Sequence, residues 1–280
     1  MASNETPAKS AGAPAAAGGP PVLCERQGAA LVITLNRPDK LNALNDDMSA
    51  ALMEALDAAE ADREVLAIIL QGNEKAFCAG ADLSGMSNAP EHRFDNYRAR
   101  YNLVKMRRMF RQVHNYTKPV ISAVEGFCLG GGLELAMFGD IIVAGEAAQF
   151  ALPEAKHSLI PGAGGTQNLP RRIGPALAKE LMWTGRRFPA AEAKEIGLIS
   201  HVVPKGEALA KAKDIVAQME GSGPLAIMMI KQAVNRGAET PVALGFYQEA
   251  DLAFMLAFSE DRQEGLKAFA EKRKPKFKGQ

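Results

Sequence analysis

From residue 21 to about residue 205, strand-like and helix-like stretches alternate, and beyond Lys205 only helical ones follow. A chain patterned this way lays its strands side by side, covers them with the intervening helices, and then adds helices with no strand of their own. Pro21–Glu25 and Leu31–Leu35 flank Gln27-Gly28 and predict a hairpin. Asp46–Asp62 predicts an amphipathic helix, with Met48, Leu52, Leu56 and Ala59 on one face and Asn45 as N-cap. Then come a strand (Val65–Leu70), a helix (about Asp95–Asn115), a strand (Val120–Val124), a helix (Gly131–Phe138) and a strand (Ile141–Val143). Short helices at Ala176–Thr184 and Ala190–Glu195 precede a last strand at Ile199–Val203. The later helices break at Gly221-Ser222-Gly223-Pro224 and at Thr240-Pro241. Periodicity leaves open whether the strands make one sheet or a coil.

Composition narrows the class. The 280 residues are 47% hydrophobic, enough for a sizeable core, and carry a formal net charge of +1. That balance counts against a nucleic-acid or membrane-surface partner. No apolar run approaches the ~20 residues that span a bilayer. Three cysteines, Cys24, Cys78 and Cys128, without a Cys-x-x-Cys pair, argue against a disulfide framework and against zinc, and fit a cytoplasmic location. Residues 1–20 are mostly Ala, Gly, Pro and Ser and read as a disordered tail. They lack the pattern of a secretory signal, and with no arginine before Arg26 they lack that of a transit peptide. The expected organisation is a tail (1–20), an α/β core (21–205) and a helical region (206–280).

Two glycine-containing segments follow strand-like runs. The first is Lys75-Ala76-Phe77-Cys78-Ala79-Gly80-Ala81-Asp82-Leu83. The second runs from Val124 to Ala136 and holds Gly130-Gly131-Gly132-Leu133-Glu134. Glycine lets the backbone turn sharply after a strand and approach a ligand closely. The second segment also opens a helix, so unpaired N–H groups and the positive helix end face whatever binds there. That arrangement suits negative charge on an oxygen. Glu134 falls in the first helical turn, where a carboxylate ordinarily serves the helix dipole. Glu154 follows Leu152-Pro153, and the proline fixes the backbone before it.

These segments resemble the crotonase family, the enoyl-CoA hydratases and isomerases, over roughly residues 22–280. The resemblance also takes in Leu152-Pro153-Glu154, Ile160-Pro161-Gly162-Ala163-Gly164-Gly165-Thr166 and the basic stretch around Lys272-Arg273-Lys274. It implies a spiral of strand-strand-helix turns with a C-terminal helical region used in trimer assembly, as a homotrimer or a dimer of trimers. The apolar residues Leu244, Phe246, Leu252, Phe254, Met255, Leu256 and Phe258 fit that assembly, and equally a packed helical lobe.

The resemblance further implies that Ala81 and Gly131 supply oxyanion donors. Glu134 would hold and deprotonate water, and Glu154 would exchange the α-carbon proton. Gly162 would lie against the same water. Coenzyme A, entering as the substrate thioester, would lie along Ala79, Gly80, Asp82 and Leu83 and near Lys40 and Leu41. Phe269 and Lys272 would reach it from a neighbouring subunit. No metal or redox cofactor is implied. Holding both glutamates, the chain is most like a hydratase that adds water to a trans-2-enoyl-CoA, in fatty-acid or related acyl-CoA degradation. The alternatives are an isomerase, a hydratase of branched or aromatic acyl-CoA, and an RNA-binding relative supported by the basic tail with Phe277. Ser84 and Leu152 depart from the usual family residues. Cys78 and Cys128 read as small buried residues, and Trp183 as core.

Overall fold

The computed structural model describes residues 19–82, 84, 104 and 107–280. Leu83, tail residues 1–18 and most of the first half of the helix expected from Asp95 lie outside the described residues.

Strands β3 (Ala67–Gln71) and β5 (Val120–Val124) are apolar on both faces, as strands in the middle of a parallel sheet must be. They sit at the centre of a six-stranded sheet, ordered β1-β2-β3-β5-β7-β10. The hairpin β1 (Val22–Gln27) and β2 (Ala30–Leu35) forms one end, and β7 (Ile141–Gly145) and β10 (His201–Val203) the other. Only the β1–β2 pair is antiparallel. Period-two alternation divides the sheet's side chains between two cores. Ile68, Leu70, Val120, Val124, Ile142 and Ala144 face the main one, against Met48, Leu52 and Leu56 of α1 (Asp46–Ala61). Ile69, Ile121 and Val143 face the other way, against Ala208, Ala212 and Val216 of α7 (Ala208–Met219). The compositional division at residue 205 thus does not coincide with a packing boundary.

A second, four-stranded sheet has the order β4-β6-β8-β9, from β4 (Ala76–Cys78), β6 (Phe127–Leu129), β8 (Gln149–Ala151) and β9 (Phe188–Pro189). Each turn of chain gives one strand to each sheet and then a helix. The units are β3-β4-α2 (helical at 107–114), β5-β6-α3 (Gly131–Phe138) and β7-β8-α4 (Gly165–Ile173). This is the expected strand-strand-helix spiral. The sequence reading holds none of the second sheet's strands and no α4. Those strands are two or three residues long, too short to show a period, and α4 contains Pro170.

Helix α5 (Pro175–Thr184) corrects one expectation: Trp183 is 73% exposed, not core. The helix buries Ala178 and Leu181, and a residue two positions beyond Leu181 points about 200° round the axis. After α6 (Ala190–Glu195) and α7 come α8 (Pro224–Gly237), α9 (Val242–Ala257) and α10 (Glu260–Ala270). Neither α8 nor α9 buries any residue fully. Phe246, Tyr247, Phe254, Met255 and Phe258 are exposed. No helix among the described residues is long and apolar enough to cross a membrane.

One buried side chain ties the first loop to the second sheet. Asn42 is fully buried in the left-handed region (φ 57°). Its Nδ2 donates to Ala76 O (2.8 Å) and Phe77 O (3.3 Å), and its Oδ1 accepts from Arg37 N–H (2.9 Å). Asn42→Ala strands these groups in the interior, and each buried unsatisfied group costs about 1–3 kcal/mol. We expect a loss of about 2–4 kcal/mol in urea unfolding at unchanged m-value. A loss below about 1 kcal/mol would show that water replaces the amide without penalty.

Candidate active site

The site begins where two backbones meet. After β4 the chain passes Gly80, whose φ is +102°, a conformation side-chain-bearing residues rarely adopt. A Cβ there would stand 3.1 Å from Leu129 O and 3.3 Å from Gly131 N, so glycine also permits the close approach. Beyond it, residues 80–82 run beside the first loop. Leu44 N–H donates to Gly80 O (2.7 Å) and Asp82 N–H to Leu44 O (2.8 Å). In this parallel bridge Leu44 uses the groups on either side of Ala81, which turns the N–H of Ala81 away from Leu44. The Ala81 nitrogen lies beside Gly131: a Cβ on Gly131 would stand 3.7 Å from it. Gly131 is the first residue of α3, so its own N–H has no intrahelical acceptor. Two amides and the positive end of a helix therefore share one small region.

Two carboxyls flank it. Glu134, in the first turn of α3, is 3% exposed. Ala163 N–H and Gly165 N–H both donate to its Oε1, at 2.8 and 2.7 Å. Gly165 is the first residue of α4, so a second helix N-terminus faces this carboxylate. Burial pushes the Glu134 carboxyl up, against the two amides and the charge of Arg107. Glu154 opens a single 3-10 turn (Glu154–His157) after Pro153. Its Oε1 would be 3.1 Å from a Cβ on Gly130, and its Oε2 is buried with no hydrogen-bond partner. Gly130 has φ +52°, which again suits glycine, and it directly precedes the Gly131 donor. Burial raises the Glu154 carboxyl to about 7, helped by the charge of Glu134 and opposed by its own backbone N–H. Two nearby carboxyls thus have different surroundings: one holds two amide bonds on a single oxygen, the other has an oxygen with none.

Other predicted residues fall in three groups. Lys40, Leu41, Ala79, Gly80 and Asp82 come together: Lys40 ends a 3-10 turn, and Ala79 N–H donates to Leu41 O (3.0 Å). The Asp82 carboxylate belongs to the frame. Ser84 and Arg37 (2.7 Å) hydrogen-bond to it and hold it down at about 2. Gly162 lies in the loop around Glu134, and its carbonyl accepts from Arg107 Nε (3.2 Å). Phe269 and Lys272 stand apart at the end of α10, Phe269 86% exposed. Among the described residues no hydrogen bond or ion pair joins them to the 79–82 segment. Cys78 and Cys128 are buried neighbours on β4 and β6, and burial pushes the Cys78 thiol up to about 12, so neither is an activated nucleophile. A cavity of about 960 Å³ lies elsewhere, among Glu64, Tyr116, Met228 and Phe277, and neither glutamate lines it. Sequence reasoning missed Arg37, Asn42 and Arg107. Each bonds to a group distant in sequence, Arg37 to the Asp82 carboxylate and Asn42 and Arg107 to main-chain carbonyls, which no spacing rule reveals.

The Glu154 environment has a consequence for stability. Its carboxyl rises from 4.5 to about 7 on folding, so folding favours the protonated form. The contribution is present below 4.5 and is lost as pH rises through about 7. Glu154→Gln keeps the neutral form at every pH. Its melting temperature should match wild type near pH 4 and exceed it increasingly up to about pH 7–8, then level off. A difference independent of pH would show that Glu154 is solvated in the folded protein.

Comparison with known proteins gives the family. The family model described as enoyl-CoA hydratase/isomerase matches residues 25–280. The chain is 41% identical to the short-chain-enoyl-CoA hydratase of Clostridium acetobutylicum, over 90% of this chain and 95% of the relative. It is 38% identical to the 2,3-dehydroadipyl-CoA hydratase of Escherichia coli, over 92% of this chain and 98% of the relative. The crystal structure of an enoyl-CoA hydratase from Bacillus anthracis superposes with a TM-score of 0.86 at 37% identity, covering 93% of this chain and 100% of that one. A family match over most of the chain, on the same fold, leaves one conclusion: this protein belongs to the enoyl-CoA hydratase/isomerase family, the crotonases.

Proposed function

We propose that the chain is an enoyl-CoA hydratase, a hydro-lyase that reversibly adds water to a trans-2-enoyl-CoA and yields a 3-hydroxyacyl-CoA. The observation that carries this reading is a buried carboxyl and a half-buried one, in unlike surroundings, beside the amides of Ala81 and Gly131. The thioester oxygen sits between Ala81 N–H and Gly131 N–H. Water held by Glu134 attacks the β-carbon and gives its proton to that carboxylate. The C=C electrons move into an enolate whose negative charge lies on the thioester oxygen, where each fixed donor is worth on the order of 10²–10³ in rate. The α-carbon then takes the proton of Glu154. Glu134 ends protonated and Glu154 ionised, and exchange with solvent restores both. Glu154, near 7, holds a proton it can give at neutral pH, as a general acid there should.

In this reading coenzyme A lies along Lys40, Leu41 and the Ala79–Asp82 stretch, with Gly162 on the water side. The mechanism calls on no metal or redox group. We place the enzyme in the cytoplasm, in fatty-acid or related acyl-CoA degradation; its unpaired cysteines fit a reducing compartment. We also infer a homotrimer, or a dimer of trimers, in which Phe269 and Lys272 approach the nucleotide of a neighbour. The exposed apolar side chains of α8 and α9 support assembly.

The division of labour is tested by substitution. Glu134→Gln and Glu154→Gln should each cut hydration by at least about 10²-fold with thioester binding retained. The double variant should lose far less than the product of the two, because the groups act as a unit. Wild-type hydration by a folded Glu134→Gln protein would move the reading to an isomerase. Ala81→Pro, which removes the amide proton, should lose turnover with the fold kept on circular dichroism. Wild-type kcat there would rule out Ala81 as a donor.

Assembly has its own test. Phe254 and Phe258 stack edge to face at 4.9 Å on the exposed side of α9. Phe254→Glu with Phe258→Glu should shift the sedimenting species to a smaller one. An unchanged oligomer would place the interface elsewhere.

A further inference from the structure

Arg107 is a charged side chain that this mechanism leaves unused. It stands on α2, and its Nε donates to Gly162 O at 3.2 Å. That carbonyl and the N–H of Ala163 belong to one planar peptide unit. The same N–H donates to Glu134 Oε1 at 2.8 Å. The guanidinium therefore grips one end of a peptide whose other end grips the carboxylate. A cation on the carbonyl oxygen polarises the peptide and strengthens its N–H as a donor. Among the described residues Arg107 makes no ion pair.

The other groups around Glu134 do not duplicate this. The loop and the start of α4 offer main-chain amides, at Ala163 and Gly165. The charged side chains of α4 are engaged elsewhere, Arg171 with Gln167 and Arg172 with the carbonyls of Met137 and Gly139. The turn after β8 brings Glu154, whose ionised form would repel that of Glu134. Among the described residues Arg107 is thus the cation whose charge bears on Glu134.

We propose that Arg107 is a positioning residue of the hydration reaction: through the Gly162–Ala163 peptide it fixes the amide that holds Glu134, and its charge favours the ionised form of that carboxylate. This rests on the hydratase reading. The group lies at the rim of the site, so its charge is partly screened, and an effect of about one pH unit is the right scale.

The test compares wild type, Arg107→Gln and Arg107→Lys in two ways. The first is the pH profile of kcat and KM with an enoyl-CoA. The second is an infrared carboxyl titration, with the Glu134 band identified by its loss in Glu134→Gln. For Arg107→Gln we expect the acid limb of kcat and the Glu134 titration to move up together by about one unit, with KM changing less than about threefold. Arg107→Lys keeps the charge and should keep both near wild type, at reduced kcat. An unmoved Glu134 titration in a folded Arg107→Gln protein overturns the proposal. So does a loss confined to KM, which would place Arg107 on the substrate, and so does a Lys variant displaced as far as the Gln one. Should wild type hydrate no enoyl-CoA, the hydratase reading fails by itself, while the titration still judges the link between Arg107 and Glu134.

Discussion

The approach of Gly80 to the first residues of α3 is the constraint on which the site depends. Two main-chain segments from different turns of the spiral approach so closely there that a Cβ on residue 80 would stand 3.1 Å from Leu129 O and 3.3 Å from Gly131 N. A side chain at residue 80 would hold them apart and carry Ala81 N–H away from Gly131 N–H. The contact is braced from outside. The loop at 37–44 lies along the segment, with Leu41 and Leu44 bonded to Ala79, Gly80 and Asp82. Arg37 and Asn42 fasten that loop to Asp82 and to β4. Donors fixed this way need little reorganisation when charge develops between them, which is the physical basis of oxyanion stabilisation.

The same framework separates two glutamates that composition alone would treat as equals. Glu134 is buried and Glu154 half-buried, and desolvation alone would push both towards the neutral acid. The difference lies in main-chain partners. Glu134 receives two amides on one oxygen, one from a helix N-terminus, which favours the charged form. Glu154 has an oxygen without a donor and an anion for a neighbour. Backbone geometry, rather than residue type, thus gives the two carboxyls unlike surroundings, as the proposed division of labour requires.

Much of this was legible in the chain. The central strands declared themselves as continuous apolar runs, and α1 by its stripe of Met48, Leu52, Leu56 and Ala59, all buried in the structure. Asn45 caps that helix as its type predicted, accepting from Met48 N–H (3.0 Å). The motif glycines and both glutamates, picked out along the chain, lie close together in the structure. The second sheet was illegible because its strands are held by neighbours distant in sequence, not by any local period. Trp183 misled for a related reason: a large apolar side chain suggests burial, but only its phase relative to Ala178 and Leu181 decides which way it faces. Arg107 carried no signal, since its bond to Gly162 crosses 55 positions of chain.

Helices α7, α8 and α9 show what packing adds to composition. α7 and α8 have similar apolar content. α7 lays Ala208, Ala212 and Val216 on the open face of the large sheet and buries them. α8 and α9 follow it in the chain and belong to neither buried core. They pair with each other and leave Ile230, Val234, Phe246, Phe254 and Phe258 more than half exposed. At about 25 cal/mol per Å², each such side chain forgoes on the order of 1–2 kcal/mol of burial. Single exposed apolar residues are ordinary on a protein surface, but five on two adjacent helices form a patch with a reason to be covered. Unmet apolar surface therefore collects in the C-terminal helices, on the region that also carries Phe269 and Lys272.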